Sequence, residues 1–210
     1  MNKGMITLSG GAVAMMLAAA ANAGLSYSGA GGTIPDSGAG VFTSDIVVSD
    51  TGSLQDITVT LKSLNHTWIG DLIVTIEHVE SGSSQTLFSR VGKTNATTGV
   101  GDSSNLGGDY SFNDAFTGDL WAVAASGDTS FVIPSGDYFA TGALSGAQVS
   151  LLSVFGGIDI AGTWRLTISD NAAADTGDIG SWNLFLTVPA PGALALLGLA
   201  GLAPRRRRNA

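Results

Sequence analysis

The sequence predicts an all-β fold, a sandwich of about eight or nine short strands. In residues 54–61, isoleucine, valine and leucine alternate with aspartate and threonine, the pattern of a strand with one buried face. Glycine-rich turns separate such runs, and 30 of the 210 residues are glycine. Between the two ends of the chain no stretch keeps the 3.6-residue period of an amphipathic helix. Many short strands with turns between them are typical of a β-sandwich.

The N-terminal end has the features of a secretory signal peptide. Lys3 precedes an apolar stretch over residues 5–21, and Ala21-Asn22-Ala23 supplies the small residues that signal peptidase requires. We therefore expect residues 1–23 to be removed and the mature protein to begin at Gly24.

The rest of the chain suits one domain. Residues 24–40, rich in glycine, serine and alanine, are expected to form a flexible lead-in to a domain over residues 41–187. Alternation and turn residues predict its strands at residues 44–49, 54–61, 72–79, 85–89, 164–169 and 182–187, and residues 109–116 are expected to re-enter the core. The runs at 54–64 and 72–79 are expected to pair, and residues 170–180 to join the last two strands as a wide hairpin loop.

The C-terminal end, residues 188–210, contains a short apolar run before its final charges. Pro189 and Pro191 precede apolar residues 193–203, and the basic cluster that follows is Arg205, Arg206, Arg207 and Arg208. Eleven helical residues span roughly 17 Å, well short of a hydrocarbon core of about 30 Å. The arginines would stay on the cytoplasmic side of the membrane. One alternative for this end is a simple short membrane tail.

This tail also resembles the PEP-CTERM sorting signal of Gram-negative bacteria, which an exosortase processes. Ala190 stands where that family most often has glutamate. The resemblance implies export to the cell surface or medium, transient membrane association through the tail, and signal peptidase and an exosortase-like enzyme as processing partners.

The charge balance excludes several partners. Without the two ends, four cations and seventeen carboxylates remain, a formal charge of 4 − 17 = −13. Such a surface repels nucleic acid and anionic lipid. It suits either cation binding or simple solubility. The chain has no cysteine, so zinc–thiolate sites and cysteine nucleophiles are excluded.

Three ordered motifs lie in the predicted domain. The first is His66-Thr67-Trp68-Ile69-Gly70-Asp71-Leu72, the second is Gly162-Thr163-Trp164-Arg165-Leu166, and the third combines Asp170 with Gly177-Asp178-Ile179-Gly180-Ser181-Trp182-Asn183-Leu184. Together they resemble the P-domain, or P/Homo B domain, that follows the catalytic domain of proprotein convertases. The resemblance implies a jelly-roll sandwich similar to the galactose-binding-like folds.

P-domains accompany subtilisin-like proteases, but the sequence predicts no catalytic site here. A serine triad needs a histidine base and an orienting carboxylate around an activated serine. The chain has two histidines, His66 in the first motif and His78 in a predicted strand, and both are expected to be structural. The Gly-x-Ser-x-Gly nucleophile motif does not occur in the sequence.

The four tryptophans divide into two pairs. Trp164 and Trp182 are in register with leucine and isoleucine on their strands, which predicts that they lie in the core. Trp68 and Trp121 are the candidates for exposed rings on which a sugar could stack.

Aspartates in the first motif and in the glycine-rich stretch after residue 92 are candidate calcium ligands, because calcium prefers carboxylate and carbonyl oxygens. By motif position in the resembled family, the candidates are Asp71, Asp109 and Asp114. The alternative is that they are solvated loop carboxylates or turn-forming residues.

Two functions stay open at this point. One is a non-catalytic exported module with a binding or structural role in the exopolysaccharide matrix, with polysaccharide as its partner. The other is an accessory P-domain that stabilises or targets a separate secreted subtilisin-like serine endopeptidase.

Overall fold

Strands account for most of the structure, a computed structural model that describes residues 21–37 and 40–190. The strands are β1 (Asn22–Ile34), β2 (Phe42–Val48), β3 (Asp56–His66), β4 (Leu72–His78), β5 (Ser83–Ser89), β6 (Asn105–Phe112), β7 (Val132–Ile133), β8 (Gly136–Tyr138), β9 (Gly162–Asp170) and β10 (Gly177–Pro189). Two short helices are α1 (Leu120–Ala124) and α2 (Leu152–Phe155). Single 3-10 turns lie at Ile69–Asp71 and Val79–Ser81.

Two sheets form the sandwich, and their strands are antiparallel apart from two short ones in the first sheet. The first sheet has the order β1-β10-β3-β6, with β7 and β8 parallel to β6, and the second has the order β2-β9-β4-β5. Taken in chain order, the eight long strands cross from one sheet to the other at every connection except that between β4 and β5. This is the jelly-roll arrangement. The prediction of an all-β sandwich is confirmed.

Two predicted strand pairings are wrong. β3 and β4 do not pair, and neither do β9 and β10, because each pair is divided between the two sheets. The residues between β3 and β4 form the 3-10 turn, which carries the chain across the sandwich. Alternation shows which face of a strand is buried, but it does not show which sheet the strand joins.

The predicted flexible lead-in is also wrong over residues 24–34. These residues belong to β1, which pairs with β10 along its whole length, so the ordered domain begins at Asn22 instead of residue 41. The glycines are needed because large rings lie over them. A Cβ atom on Gly29 would lie 2.0 Å from Nε1 of Trp182, and one on Gly24 would lie 2.5 Å from Cζ of Phe185.

The core lies between the two sheets, and the prediction that Trp164 and Trp182 belong to it is confirmed. Both indoles are fully buried. Each also satisfies its N–H: Trp164 Nε1 donates to the carbonyl of Ile160 at 3.0 Å, and Trp182 Nε1 donates to Ser44 Oγ at 2.9 Å. Buried tryptophan normally needs such a partner.

Most of the two predicted processing signals lies outside the described residues, including residues 1–20, Pro191 and Arg205–Arg208. Pro189 is the last residue of β10, and the predicted cleavage after Ala23 falls just inside β1. Within the described part of the chain, no helix is long and apolar enough to cross a membrane.

Candidate functional site

A buried histidine–carboxylate pair anchors the first motif. His66 ends β3 and Asp170 ends β9, so their contact joins the two sheets; Nε2 of His66 lies 3.2 Å from Oδ2 of Asp170, and both side chains are fully buried. Nδ1 of His66 lies 3.1 Å from the backbone nitrogen of Trp68. A proton on Nε2 allows His66 to donate to Asp170 and to accept from the Trp68 N–H. The pair holds the turn to the opposite sheet.

A second ionic contact lies beside it. A guanidinium nitrogen of Arg90 lies 3.5 Å from Oδ1 of Asp71, and both side chains are largely buried. Arg90 also donates to the carbonyls of Gly70 and Asn171. Burial raises the pKa of Asp71 to about 6, against the opposing effect of Arg90; the nearby carboxylates of Asp170 and Asp175 add to the rise.

Close backbone contact explains the glycine of the first motif. The Gly70 N–H donates to the carbonyl of Asp102 at 2.9 Å. A Cβ atom on Gly70 would lie 2.6 Å from the Asp102 nitrogen and 2.7 Å from Cα of Gly101. Only glycine fits here, so the long loop after β5 is held against the turn by its backbone.

The outer half of the same turn binds two loops, the one between β9 and β10 and the one between β5 and β6. Thr67 Oγ1 donates to Asp175 at 2.7 Å, and Trp68 Nε1 donates to the carbonyl of Val100 at 3.3 Å. Trp68 is therefore half-buried, as is Trp121. The Trp121 ring packs against Gly146, and its Nε1 is buried with no hydrogen-bond partner among the described residues. Neither ring is the fully exposed platform that the sequence suggested.

The second motif is held by Glu80. The carboxylate of Glu80 accepts from the Thr163 N–H at 2.7 Å and from the Thr163 hydroxyl at 3.0 Å. The backbone bond is the main reason that the pKa of Glu80 lies below its ordinary value. Gly162 has a φ of +136° and lies against the Glu80 carboxylate, where a Cβ atom would come within 2.4 Å. These contacts are structural.

His78 contacts a serine, but the geometry is that of a turn. Nδ1 of His78 lies 3.0 Å from Ser81 Oγ, and Nε2 lies 3.1 Å from the carbonyl of Ala161. Ser81 Oγ also accepts from the Ser83 N–H and lies 3.2 Å from the His78 carbonyl. The hydroxyl is thus occupied in closing the 3-10 turn.

The third motif completes the histidine pocket. A Cβ atom on Gly177, the first residue of β10, would lie 2.6 Å from Cδ2 of His66 and 2.2 Å from the Asn65 carbonyl. The glycine therefore leaves room for the imidazole. The first and third motifs thus serve the contacts between strand ends around His66, whereas the second binds Glu80 at the opposite end of β9; Trp164 and Trp182 pack in the core.

The three calcium candidates are not brought together. Asp71 contacts Arg90; Asp109 binds Lys62 and the Ser63 N–H. Asp114 accepts from the N–H groups of Leu151 and Leu152 at 2.7 and 3.1 Å and so fixes the start of α2. Among the described residues no three histidine, aspartate or glutamate side chains form a group that could hold a metal ion. Calcium binding stays a prediction.

An open groove of about 700 Å³ crosses the same end of the first sheet. Its floor follows one row of the sheet, in which Thr33 of β1 lies beside Asp178 of β10, and Asp178 lies beside Asn65 of β3. Thr67, Asn105 and Thr176 add further polar groups. His66 is also at its edge, but the imidazole is shielded from solvent.

The chemistry of the groove is that of hydroxyls and amides. Leu106 and Ile179 lie beneath the groove with their side chains almost completely buried, Asp178 is the single charged lining residue, and the described lining contains no lysine or arginine. Its volume is in the range of small-molecule sites. Such a surface can exchange hydrogen bonds with a neutral polyol, whereas it offers nothing to neutralise an anion.

Sequence reasoning missed Arg90, Asn171 and Asp175, which hold the first motif, and Glu80, which holds the second. Asn171 donates to the carbonyl of Asp71 through both its backbone and its side chain, at 2.9 and 3.0 Å. Arg90 could have been noticed in the sequence because lysine and arginine are rare there: only four lie between the two end segments.

Comparison with models of known protein families finds no match, and comparison with curated proteins finds none either. Among solved structures, the chain is similar to the serine protease of Aeromonas sobria. In the complex of that protease with the chaperone ORF2 the identity is 16% and the TM-score 0.47, over 81% of this chain and 27% of that chain. For the protease structure the identity is 17% and the TM-score 0.44, over 80% and 27%. The chain thus spans about a quarter of those proteins' length, and a likeness this low assigns neither family nor function.

Proposed function

We propose that the chain is a non-catalytic, exported module that binds neutral polysaccharide at the surface of a Gram-negative cell. The observation that carries this proposal is the neutral, hydroxyl- and amide-lined groove across the first sheet. A sugar polymer presents many hydroxyls and few charges, which matches a groove with one carboxylate. The signal peptide and the sorting tail bring such a module to the extracellular matrix.

The non-catalytic part of the proposal is supported by the two histidines. Both are almost completely buried, at 2% and 3% exposure, and both ring nitrogens of each have protein partners. A general base must reach its substrate directly or through one water molecule. In this arrangement His66 and His78 stabilise turns.

Affinity electrophoresis tests the proposal. The processed protein is run through gels that contain a neutral polysaccharide, a uronic-acid polysaccharide or none. We expect retardation by the neutral polymer and none by the acidic polymer, because the protein carries a formal charge of 4 − 17 = −13. Equal mobility in all three gels would contradict the proposal.

A second candidate is an accessory P-domain that stabilises or targets a separate subtilisin-like protease. The three ordered sequence motifs favour it. Capture of the processed protein's partners from culture medium distinguishes the two: a subtilisin-like protease bound in stoichiometric amount supports this candidate, and a polysaccharide supports the first.

A further inference from the structure

The side of β1 away from β10 is an unusual edge for a β-sandwich. β1 has 13 residues, all uncharged and none proline, and among the described residues β10 is the one strand paired with it. Gly24–Ile34 remain after the predicted cleavage, and at about 3.3 Å per residue these 11 residues present roughly 36 Å of edge. Natural proteins protect such edges with lysine, proline, bulges, short strands or covering segments, because unpaired N–H and C=O groups recruit another strand.

The other edges of the sandwich are protected in these ways. β6 is flanked by β7 and β8. β5 is partly covered, because the Thr141 N–H donates to the Leu87 carbonyl at 2.9 Å. β2 is seven residues long and carries Asp45, whose carboxylate is paired with Arg165. Within the described part of the chain, β1 has no charged residue, no proline and no covering segment to protect its edge.

We infer that β1 is an interface with a second copy of this chain, formed by antiparallel pairing of the two β1 edges. The distribution of charge favours a second copy of this chain as the partner of β1. The predicted mature chain has a formal charge of 4 − 17 = −13, so most approaches of two copies are opposed by repulsion, whereas β1 contributes no charged side chain. An antiparallel pair of identical strands is also self-complementary, as two-fold symmetry requires.

Side chains on β1 fit this assembly. Leu25 and Tyr27 are half-buried against the core, so a neighbouring strand would complete their burial. The exposed side chains of Ser26, Ser28 and Ala30 are small, so they leave the backbone edge accessible. Pairing makes one continuous sheet of the two first sheets. Each β1 also contributes Thr33 to its groove, so a polymer could engage both grooves of the dimer.

After the predicted cleavage, antiparallel pairing of residues 24–32 with the same residues of the second copy places Ser28 on the two-fold axis, opposite the partner's Ser28. Opposed Cα atoms in an antiparallel pair are about 4.5–5.5 Å apart, a separation that permits a disulfide. The chain has no cysteine, so one introduced at this position has no competing partner. Ser84, an exposed serine on the protected strand β5, is the matched control.

The test uses the processed protein in analytical ultracentrifugation and in mild oxidation. We expect a concentration-dependent dimer, rapid cross-linking of Ser28→Cys, and little cross-linking of Ser84→Cys. Ser28→Lys should weaken the dimer about tenfold or more, because it places two like charges opposite each other, while Ser84→Lys should leave it unchanged. Thermal unfolding confirms that each variant is folded.

Three results would overturn the inference: a monomer at every concentration, equal cross-linking of Ser28→Cys and Ser84→Cys, or a dimer that survives Ser28→Lys. A monomer that still binds polysaccharide would reject the β1 interface and leave the proposed function intact.

Discussion

Gly29 of β1 and Trp182 of β10 lie directly opposite each other in the first sheet, and the indole covers the glycine. A Cβ atom on Gly29 would lie 2.0 Å from Trp182 Nε1, the same nitrogen that donates to Ser44 on the second sheet. The small residue on the edge strand therefore permits the large residue to connect the two sheets. Composition alone gives the opposite impression, because a glycine-rich segment is usually interpreted as flexible.

Gly29→Ala should destabilise the domain by about 1–3 kcal/mol, the usual cost of overpacking a buried site. Trp182→Phe removes the pyrrole ring that the new methyl group would meet. We therefore expect the double variant to lose less stability than the sum of the losses of the two single variants. The difference should exceed the deviation of about 0.5 kcal/mol that independent sites show. Urea unfolding of the four proteins gives the coupling directly. Strict additivity would show that the two residues are not in contact.

Trp164→Ala should cost roughly 3–5 kcal/mol, as for other buried large aromatics, out of a typical domain stability of about 5–15 kcal/mol. The indole packs on Phe155 and His78, with ring centroids 5.3 and 4.9 Å apart, and donates to Ile160. We expect poor expression or a much lower denaturant midpoint. Phe185→Ala, on an exposed aromatic of the first sheet, is the matched control and should cost far less.

The sequence predicted the faces of the strands better than their partners. Alternation correctly placed Trp164 and Trp182 in the core, and it identified β3, β4, β9 and β10 as strands. It could not assign each strand to a sheet, because a period of two specifies only which side is buried. The crossing at Ile69–Asp71 depends on contacts with residues far along the chain, such as Arg90 and Asp170.

The site was predicted only in part, for a similar reason. The motif around His66 was recognised, yet its partners are single polar residues in loops with no pattern of their own, such as Asp175 and Asn171. The groove lies along one row of four strands, so it follows from strand register, which the sequence did not provide. Asp109 and Asp114 were chosen as oxygen donors to calcium, and the structure shows each of them bound to protein donors.

Asp71 should make the domain less stable as the pH rises from about 4 to about 6. Its pKa in the folded protein is raised to about 6, chiefly by burial, whereas the unfolded value is 3.8. Between these values the folded state holds a proton that the unfolded state lacks, so the free energy of unfolding falls as pH rises. Asp71→Asn should remove this part of the pH dependence, while Asp178→Asn, at an exposed site, should retain it. Parallel stability–pH profiles for wild type and Asp71→Asn would contradict the assignment.

Calcium binding through Asp71 gives a separate expectation. With an affinity of about 0.1 mM, the order found in extracellular modules, about 1 mM calcium would stabilise the domain by roughly 1.4 kcal/mol. For a domain of this size that is a rise in melting temperature of about 3–6 °C over the chelator-treated protein. Asp71→Asn should lose the shift, and Asp137→Asn, an exposed aspartate on β8, should keep it. Identical melting curves with calcium and with chelator, together with no heat on titration, would retire this prediction.

The most direct measurement of the central claim is calorimetric titration of a soluble neutral polysaccharide into the processed protein and two variants. Asn65→Ala combined with Asp178→Ala removes adjacent polar side chains from the groove, and Asp137→Ala removes a comparable exposed aspartate outside it. The account predicts binding by the wild type and by Asp137→Ala, with affinity about tenfold or more weaker in the double variant, since a hydrogen bond typically contributes about 0.5–1.5 kcal/mol, or about 1.5–3 kcal/mol when one group is charged, and about 1.4 kcal/mol is a factor of ten. Equal affinity in all three proteins, or no binding by the wild type, would contradict it.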